Sequence, residues 1–170
     1  MIHIRPSVHD DAAALPELER RAAVIFRNWP GLEWIADDDV QSVHQHHALI
    51  ATGVALVAEL PGRGVVGFLN GEFAADAVHL WQVAVHYDYQ RRGIGRQLID
   101  AAKLCASQRR LPALTLTTFR QVPWNEPYYQ RLGFKTLADD ALTPRLATIL
   151  EVEARAGLSA RNRCAMVLSV

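Results

Sequence analysis

The stretch from Val78 to Gln108 constrains this chain more than any other. A run of strand-forming residues, Val78 to Val85, leads through His86-Tyr87-Asp88-Tyr89-Gln90-Arg91-Arg92 to two glycines, Gly93 and Gly95. These open a helix with Ile94, Leu98, Ala101, Ala102 and Cys105 on one side. Pro112 stops that helix before a further strand, Ala113 to Thr118. Strand, helix and strand in that order imply a parallel crossover, so the chain must build a sheet with a helix across it.

The remaining segments fit around this unit. Ile2 to Arg5 alternates as a strand does, and Pro6-Ser7 ends it before Asp10-Asp11 start a helix carrying Leu15, Leu18, Ala22, Ile25 and Phe26 on one stripe, with Pro16 in a first turn if the start is later. Asn28 to Trp34 reads as an aromatic loop. A second helix runs from Asp37-Asp38-Asp39 to Thr52, closed by Gly53. Three strands follow in an antiparallel meander, Ala55–Leu60, Val65–Phe73 and Val78–Val85. Beyond the crossover, Tyr128–Leu132 is a short helix, Phe134 opens an extended piece, Arg145–Ala156 is helical and Cys164–Val170 is a last strand.

Composition excludes several classes. A chain of 170 residues with 18 basic and 18 acidic side chains has the size of one domain, residues 1–170, and no global field for nucleic acid or an anionic membrane. Two cysteines, Cys105 and Cys164, with no CxxC, leave no disulfide framework or Cys-rich zinc site. No apolar run spans a bilayer and the first residues do not resemble a secretory signal, so the expectation is a soluble, cytoplasmic protein.

Gly62-Arg63-Gly64-Val65-Val66-Gly67 is formally GxGxxG, yet strands flank it on both sides. It reads as a hairpin turn rather than a dinucleotide site. The glycines at 93 and 95 are different. A helix start has N–H groups without internal partners and the positive end of the dipole, and the absent Cβ atoms let an anion approach the backbone. Between Gln90 and Arg110 six basic residues face one acid, Asp100, so the segment reads as a diphosphate site.

Gln90-Arg91-Arg92-Gly93-Ile94-Gly95 resembles the Q/R-x-x-G-x-G/A motif of the GNAT superfamily of N-acetyltransferases. Tyr128-Tyr129-Gln130-Arg131-Leu132-Gly133-Phe134 resembles that family's aromatic-Tyr-x-x-Leu-Gly-Phe segment. The resemblance covers about Ile2 to Val170. It implies an α/β (α+β) fold with a mixed, mostly antiparallel sheet of about seven strands, helices on both faces, and a cleft where the fourth and fifth strands splay apart. It also implies direct transfer of an acetyl group from acetyl-CoA, as co-substrate and without a metal, to a primary amine. Val83 and Val85 then serve the pantetheine arm, and Arg91, Arg92, Gly93, Ile94, Gly95 and Arg96 hold the diphosphate. Asn125 also serves the arm, although only four positions separate it from Tyr129 where the family's spacing is longer.

By the same resemblance Tyr129 donates a proton to the leaving thiolate, and Tyr128 packs. Many relatives carry a Glu on the fourth strand to deprotonate the amine. Here that strand has no acid, and His79, eleven residues before Gln90, is the expected base with the titration of an ordinary imidazole. Glu72 acting through water is the reserve, and a strand bulge would change which side chains face the cleft. The acceptor pocket maps onto Phe26 to Asp39, with Phe26, Trp29 and Trp34 as contacts and four acids to attract a cationic amine. His44, His46 and His47 lack metal-site spacing and read as a solvated or acceptor-lining face. The expected partner is a small-molecule amine, with a homodimer left open. A protein N-terminus or lysine as acceptor, and a non-catalytic acyl-CoA binding module, are the alternatives.

Overall fold

The computed structural model describes all 170 residues. Seven strands form one sheet in the order β1-β2-β3-β4-β5-β7-β6, with β1 His3–Pro6, β2 Val54–Leu60, β3 Gly64–Phe73, β4 Val78–Val85, β5 Ala113–Phe119, β6 Lys135–Thr136 and β7 Arg163–Ser169. All pairings are antiparallel except β4 with β5, the crossover expected from the sequence. The helices are α1 Leu15–Ala23, α2 Val43–Thr52, α3 Ile94–Gln108, α4 Glu126–Arg131 and α5 Pro144–Arg155. This is the mixed, mostly antiparallel seven-stranded architecture expected from the sequence.

The sheet buries both faces. On one, Ile94, Leu98, Ile99, Ala102 and Ala106 of α3 pack on Leu56, Leu69, Leu80, Leu114 and Leu116. Positions three and four apart along α3 make that stripe, and each buried Leu or Ile is worth about 2 kcal/mol of removed apolar surface. On the other, Leu15 and Leu18 of α1 meet Val57, Phe68 and Ala84. A third cluster, Leu32, Phe119 and Val122 with Phe26, Trp29 and Trp124, ties the segment after α1 to the end of β5.

Two irregularities of β4 position the site. Its register with β3 passes from Asn70↔Gln82 to Gly71↔Leu80, which leaves Trp81 as a bulge. Val78, Leu80, Val83 and Val85 therefore all lie on the α3 side, while Ala84 packs towards α1. With β5 it pairs only at Val78↔Leu114 and His79↔Thr115, and then the strands diverge. The β5-facing edge of β4 from Leu80 to Val85 has no strand partner, and this is the expected cleft.

Some local expectations change. The first helix is broken into a 3-10 turn at His9–Ala14, α1 with Pro16 in its first turn, and another 3-10 turn at Val24–Asn28. The aromatic loop runs into a 3-10 turn at Glu33–Asp37, and α2 begins later than the acids suggested. Ser42 caps it by accepting from Gln45 N, and the Gln45 side chain accepts from Ser42 N. Gly53 ends α2 with a negative φ. A Cβ there would strike the carbonyl oxygen of Gly71, so close approach to β3, not left-handed backbone, requires the glycine. Gly62 and Gly64, at φ 77° and 80°, make the β2–β3 turn.

Candidate active site

Backbone geometry builds one half of the cleft. Gln90 Nε2 donates to Val85 O at 2.9 Å and to Ala22 O at 3.1 Å, fixing the turn after β4 to both the strand end and α1. Arg91 and Gly93 then adopt left-handed backbone, φ 63° and 76°, and the first bond of α3 is Gln97 N to Gly93 O. The N–H groups of Arg91, Arg92 and Gly93 find no acceptor in the protein, and those of Ile94, Gly95 and Arg96 precede the first helical bond. Arg92 donates to Asp88 O and lies over the Tyr89 ring, whereas Arg91 and Arg96 are exposed with no carboxylate partner.

Opposite that turn, the β5–α4 loop brings Asn125 and α4 brings the paired tyrosines. Asn125 Oδ1 is buried and unpartnered. Tyr129 stacks edge-on against Tyr128 and Phe134, and its hydroxyl has no protein partner. Burial, then the neighbouring Tyr128, pushes its pKa above the ordinary phenol value, so it keeps its proton. Tyr128 packs on the start of α3 as well as on Tyr129. Its hydroxyl lies over the first turn of α3, 2.6 Å from where a Cβ on Gly95 would stand. Gly95 thus leaves room for a tyrosine hydroxyl.

Side chains build the other half. At the closed end of the splay His79 is fully buried, and its Nδ1 lies 2.9 Å from Thr115 Oγ1. Arg145 Nη2 donates to the same oxygen at 3.3 Å. Arginine only donates, so Thr115 Oγ1 accepts from Arg145 while its own proton is free for Nδ1, an arrangement that puts the imidazole proton on Nε2. Nε2 and Arg145 Nη1 are both buried without partners. Burial, reinforced by Arg145, lowers the His79 pKa to about 4, which corrects the expectation of ordinary imidazole titration. Glu72, across the register from His79, is exposed.

Further along the same face runs a chain of polar contacts. Glu19 of α1 accepts from Gln41 N at 3.2 Å, and the Gln41 and Asn70 amides pair reciprocally at 2.8 and 3.3 Å. Asn70 Nδ2 lies 3.4 Å from His46 Nδ1. Asn70 stands beside Gln82 across the β3–β4 register. Burial raises the Glu19 carboxyl to about 7. Over the outer end of the cleft, Phe26 meets Phe119 and Trp124 edge-on at 5.6 Å each, and Trp29 meets Trp124 at 5.7 Å. A groove of ≈200 Å³ lies beside Trp29, Leu32, Phe119 and Val122.

The family model for the acetyltransferase (GNAT) domain matches residues 51–136, which contain β2 to β6 and both motifs. The chain belongs to the GNAT acetyltransferase family. Solved structures agree in fold. PaiA N-acetyltransferase from Thermoplasma acidophilum, in complex with coenzyme A, is 18% identical, with 100% of this chain and 99% of that chain covered and a TM-score of 0.71. A GNAT-family acetyltransferase from Staphylococcus aureus Mu50 gives 15%, 99% and 99%, and 0.72. The ribosomal-protein-S18-alanine N-acetyltransferase from Escherichia coli gives 18%, 100% and 94%, and 0.64.

Within this GNAT fold, Val83 and Val85 lie on the free edge of β4, Arg91 to Arg96 span the turn and the start of α3, and Asn125 stands at the start of α4 with Tyr129 within it. Phe26 and Trp29 share one aromatic cluster; Trp34, 43% exposed, stands outside it. Asp37 is already engaged by Arg27 at 3.4 Å, which spends part of the acidic charge read from the sequence. The three histidines separate: His46 is buried against Phe68, His47 stacks on His9, and His44 is exposed. No cluster of three or more His, Cys, Asp or Glu forms.

Sequence reasoning missed Glu19, Asn70, Trp124 and Arg145. Only Glu19 had a visible signal, a carboxylate four residues after Leu15 and three before Ala22, on the apolar stripe itself.

Proposed function

We propose that this acetyltransferase moves the acetyl group of acetyl-CoA to the primary amine of a small molecule, by direct attack with both substrates bound. The observation that carries the acetyl-CoA half is the run of unpartnered main-chain N–H groups from Arg91 to Gly93 continuing into the first turn of α3. That run, the unpaired edge of β4 at Val83 and Val85, the orphaned Asn125 Oδ1 and the free cations Arg91 and Arg96 fit diphosphate and pantetheine together. When bound, acetyl-CoA supplies the activated thioester.

Tyr129 holds its proton for the departing sulfur. Its raised pKa keeps the hydroxyl protonated at neutral pH, and the hydroxyl has no protein partner to surrender. His79 is neutral in the working range with its lone-pair nitrogen turned to Thr115, so we assign it to the wall of the cleft and look elsewhere for the acceptor of the amine proton. Support for a small acceptor comes from the roof: aromatic residues from both sides of the cleft mouth meet at Trp124, with a groove of ≈200 Å³ beside them. Phe26 and Trp29 contact its apolar body, and Trp34 guards the rim.

The test is thiol release from acetyl-CoA across alkylamines, amino acids, aminoglycosides and peptides. Release that depends on a small amine and matches acetamide formation supports the reading. Release with peptides alone would assign a protein acceptor, and acetyl-CoA binding with no release would make the protein an acyl-CoA binder.

A further inference from the structure

We propose that Glu19 receives the ammonium group of the acceptor and takes its proton before attack, an assignment that rests on the amine-acetyltransferase reading. Glu19 sits on the buried stripe of α1, with Leu18 below it in the core, yet no Lys, Arg or His pairs with it. Its one protein partner is Gln41 N, on one carboxylate oxygen. Neighbouring Glu17, by contrast, is exposed and pairs with both Arg20 and Arg21. Glu19 is half-buried; a carboxylate partly withdrawn from water without a cation is costly, and the missing countercharge is what a protonated amine brings.

Position agrees with this. The polar chain Glu19–Gln41–Asn70 reaches β3 at the residue paired with Gln82, just beyond the Trp81 bulge where β4 has left β5. Glu19 therefore stands over the acceptor side of the same stretch of β4 whose free edge serves acetyl-CoA. Burial holds its carboxyl near 7, poised for proton transfer at neutral pH, and Arg20 on its own helix is the one charge that acts against this rise. Of the titratable groups on the elements packed against it, His46 of α2 and His79 of β4 are both shifted down by burial and stay neutral there. Asp37 after α1 is engaged by Arg27.

The step balances. The ammonium N–H bond breaks with its electron pair left on nitrogen and its proton on Glu19. The neutral nitrogen forms the C–N bond to the thioester carbonyl, and the C–S bond breaks with its pair on sulfur. Tyr129 protonates the sulfur and is reprotonated by the second nitrogen proton, and Glu19 returns its proton to solvent.

The experiment is kcat/KM for the amine against pH, in the wild type, Glu19→Gln and Glu19→Asp, with coenzyme A affinity measured on each. Because the pair used is carboxylate plus ammonium, wild-type kcat/KM should rise through about 7, hold level, and fall near the amine's own pKa of about 10. Glu19→Gln still accepts from Gln41 N. It should bind coenzyme A within about two-fold of wild type but lose about 100-fold in kcat/KM and the inflection at 7, with Glu19→Asp restoring the inflection. A wild-type profile that climbs without a break to the amine's pKa, or the same profile in Glu19→Gln, would overturn the assignment. If only peptide amines turn over, the small-molecule reading falls and Glu19 is judged by the same profiles on the peptide. No turnover with any amine would overturn both.

Discussion

The two sides of the β4–β5 cleft are made of different material. On the side we assign to acetyl-CoA the groups on offer are mostly main-chain N–H groups and a strand edge, arranged by Gln90, by left-handed residues at 91 and 93, and by the start of α3, with Asn125, Arg91 and Arg96 as the side chains. On the acceptor side they are side chains drawn from α1, the segment before α2, β3, β4 and the β5–α4 loop. Backbone sites tolerate change in most side chains and fail at glycines. Side-chain sites fail one residue at a time, and each failure should spare the other substrate.

The largest effect that would sharpen this contrast is at Tyr129, where the two sides meet. Tyr129→Phe should lower kcat roughly 1,000-fold while acetyl-CoA affinity changes little, because a donor to the leaving thiolate acts in the transition state. Equal, small losses in Tyr129→Phe and Tyr128→Phe would break it. Next comes Asn125→Ala, expected to weaken coenzyme A by about 10-fold through its orphaned carbonyl and to leave the KM for the amine in place.

A subtler effect separates steric from electrostatic roles of Gly95. In Gly95→Ala the added methyl meets only the Tyr128 hydroxyl, so its cost, a few-fold in coenzyme A affinity, should vanish in the Gly95→Ala/Tyr128→Phe double variant. Loss that persists in the double variant would mean that the anion itself needs the space.

The smallest signals are in stability. Glu19 has its folded pKa raised, so its contribution falls as pH climbs from about 4.5 to about 7. His79 has its folded pKa depressed, so its contribution is full above 6.5 and falls as pH drops towards about 4. Glu19→Gln should therefore raise Tm at pH 8, by on the order of 5 °C, and His79→Gln should flatten the acid limb. Unchanged melting curves in both variants would show that neither group is held out of water.

The same contrast explains what the sequence made legible. The phosphate turn has local causes, glycine spacing after a strand and before a helix, so Gly93, Gly95 and the parallel crossover could be read directly. Tyr129 came with a motif of fixed offset. The acceptor side has long-range causes: Glu19 meets Asn70 only through Gln41, and Phe26 meets Trp124 only because the chain between them folds as it does. The Trp81 bulge is a property of the β3–β4 register, which one strand's sequence does not carry, so which β4 residues share a face could not be read from alternation alone. The breaks in the first helix and the Ser42 cap were local, but the acids at 37–39 gave a competing start signal that the capping box overrode.

Titration calorimetry of coenzyme A into the wild type and Gly95→Glu, with the fold of each verified by its melting curve, tests the central claim most directly. The account predicts micromolar binding by the wild type and a loss of roughly 100-fold or more in Gly95→Glu, since a carboxylate would then occupy the positive end of α3 where the diphosphate should lie. Equal affinity in the two folded proteins would contradict it and move the acetyl-CoA site away from this turn.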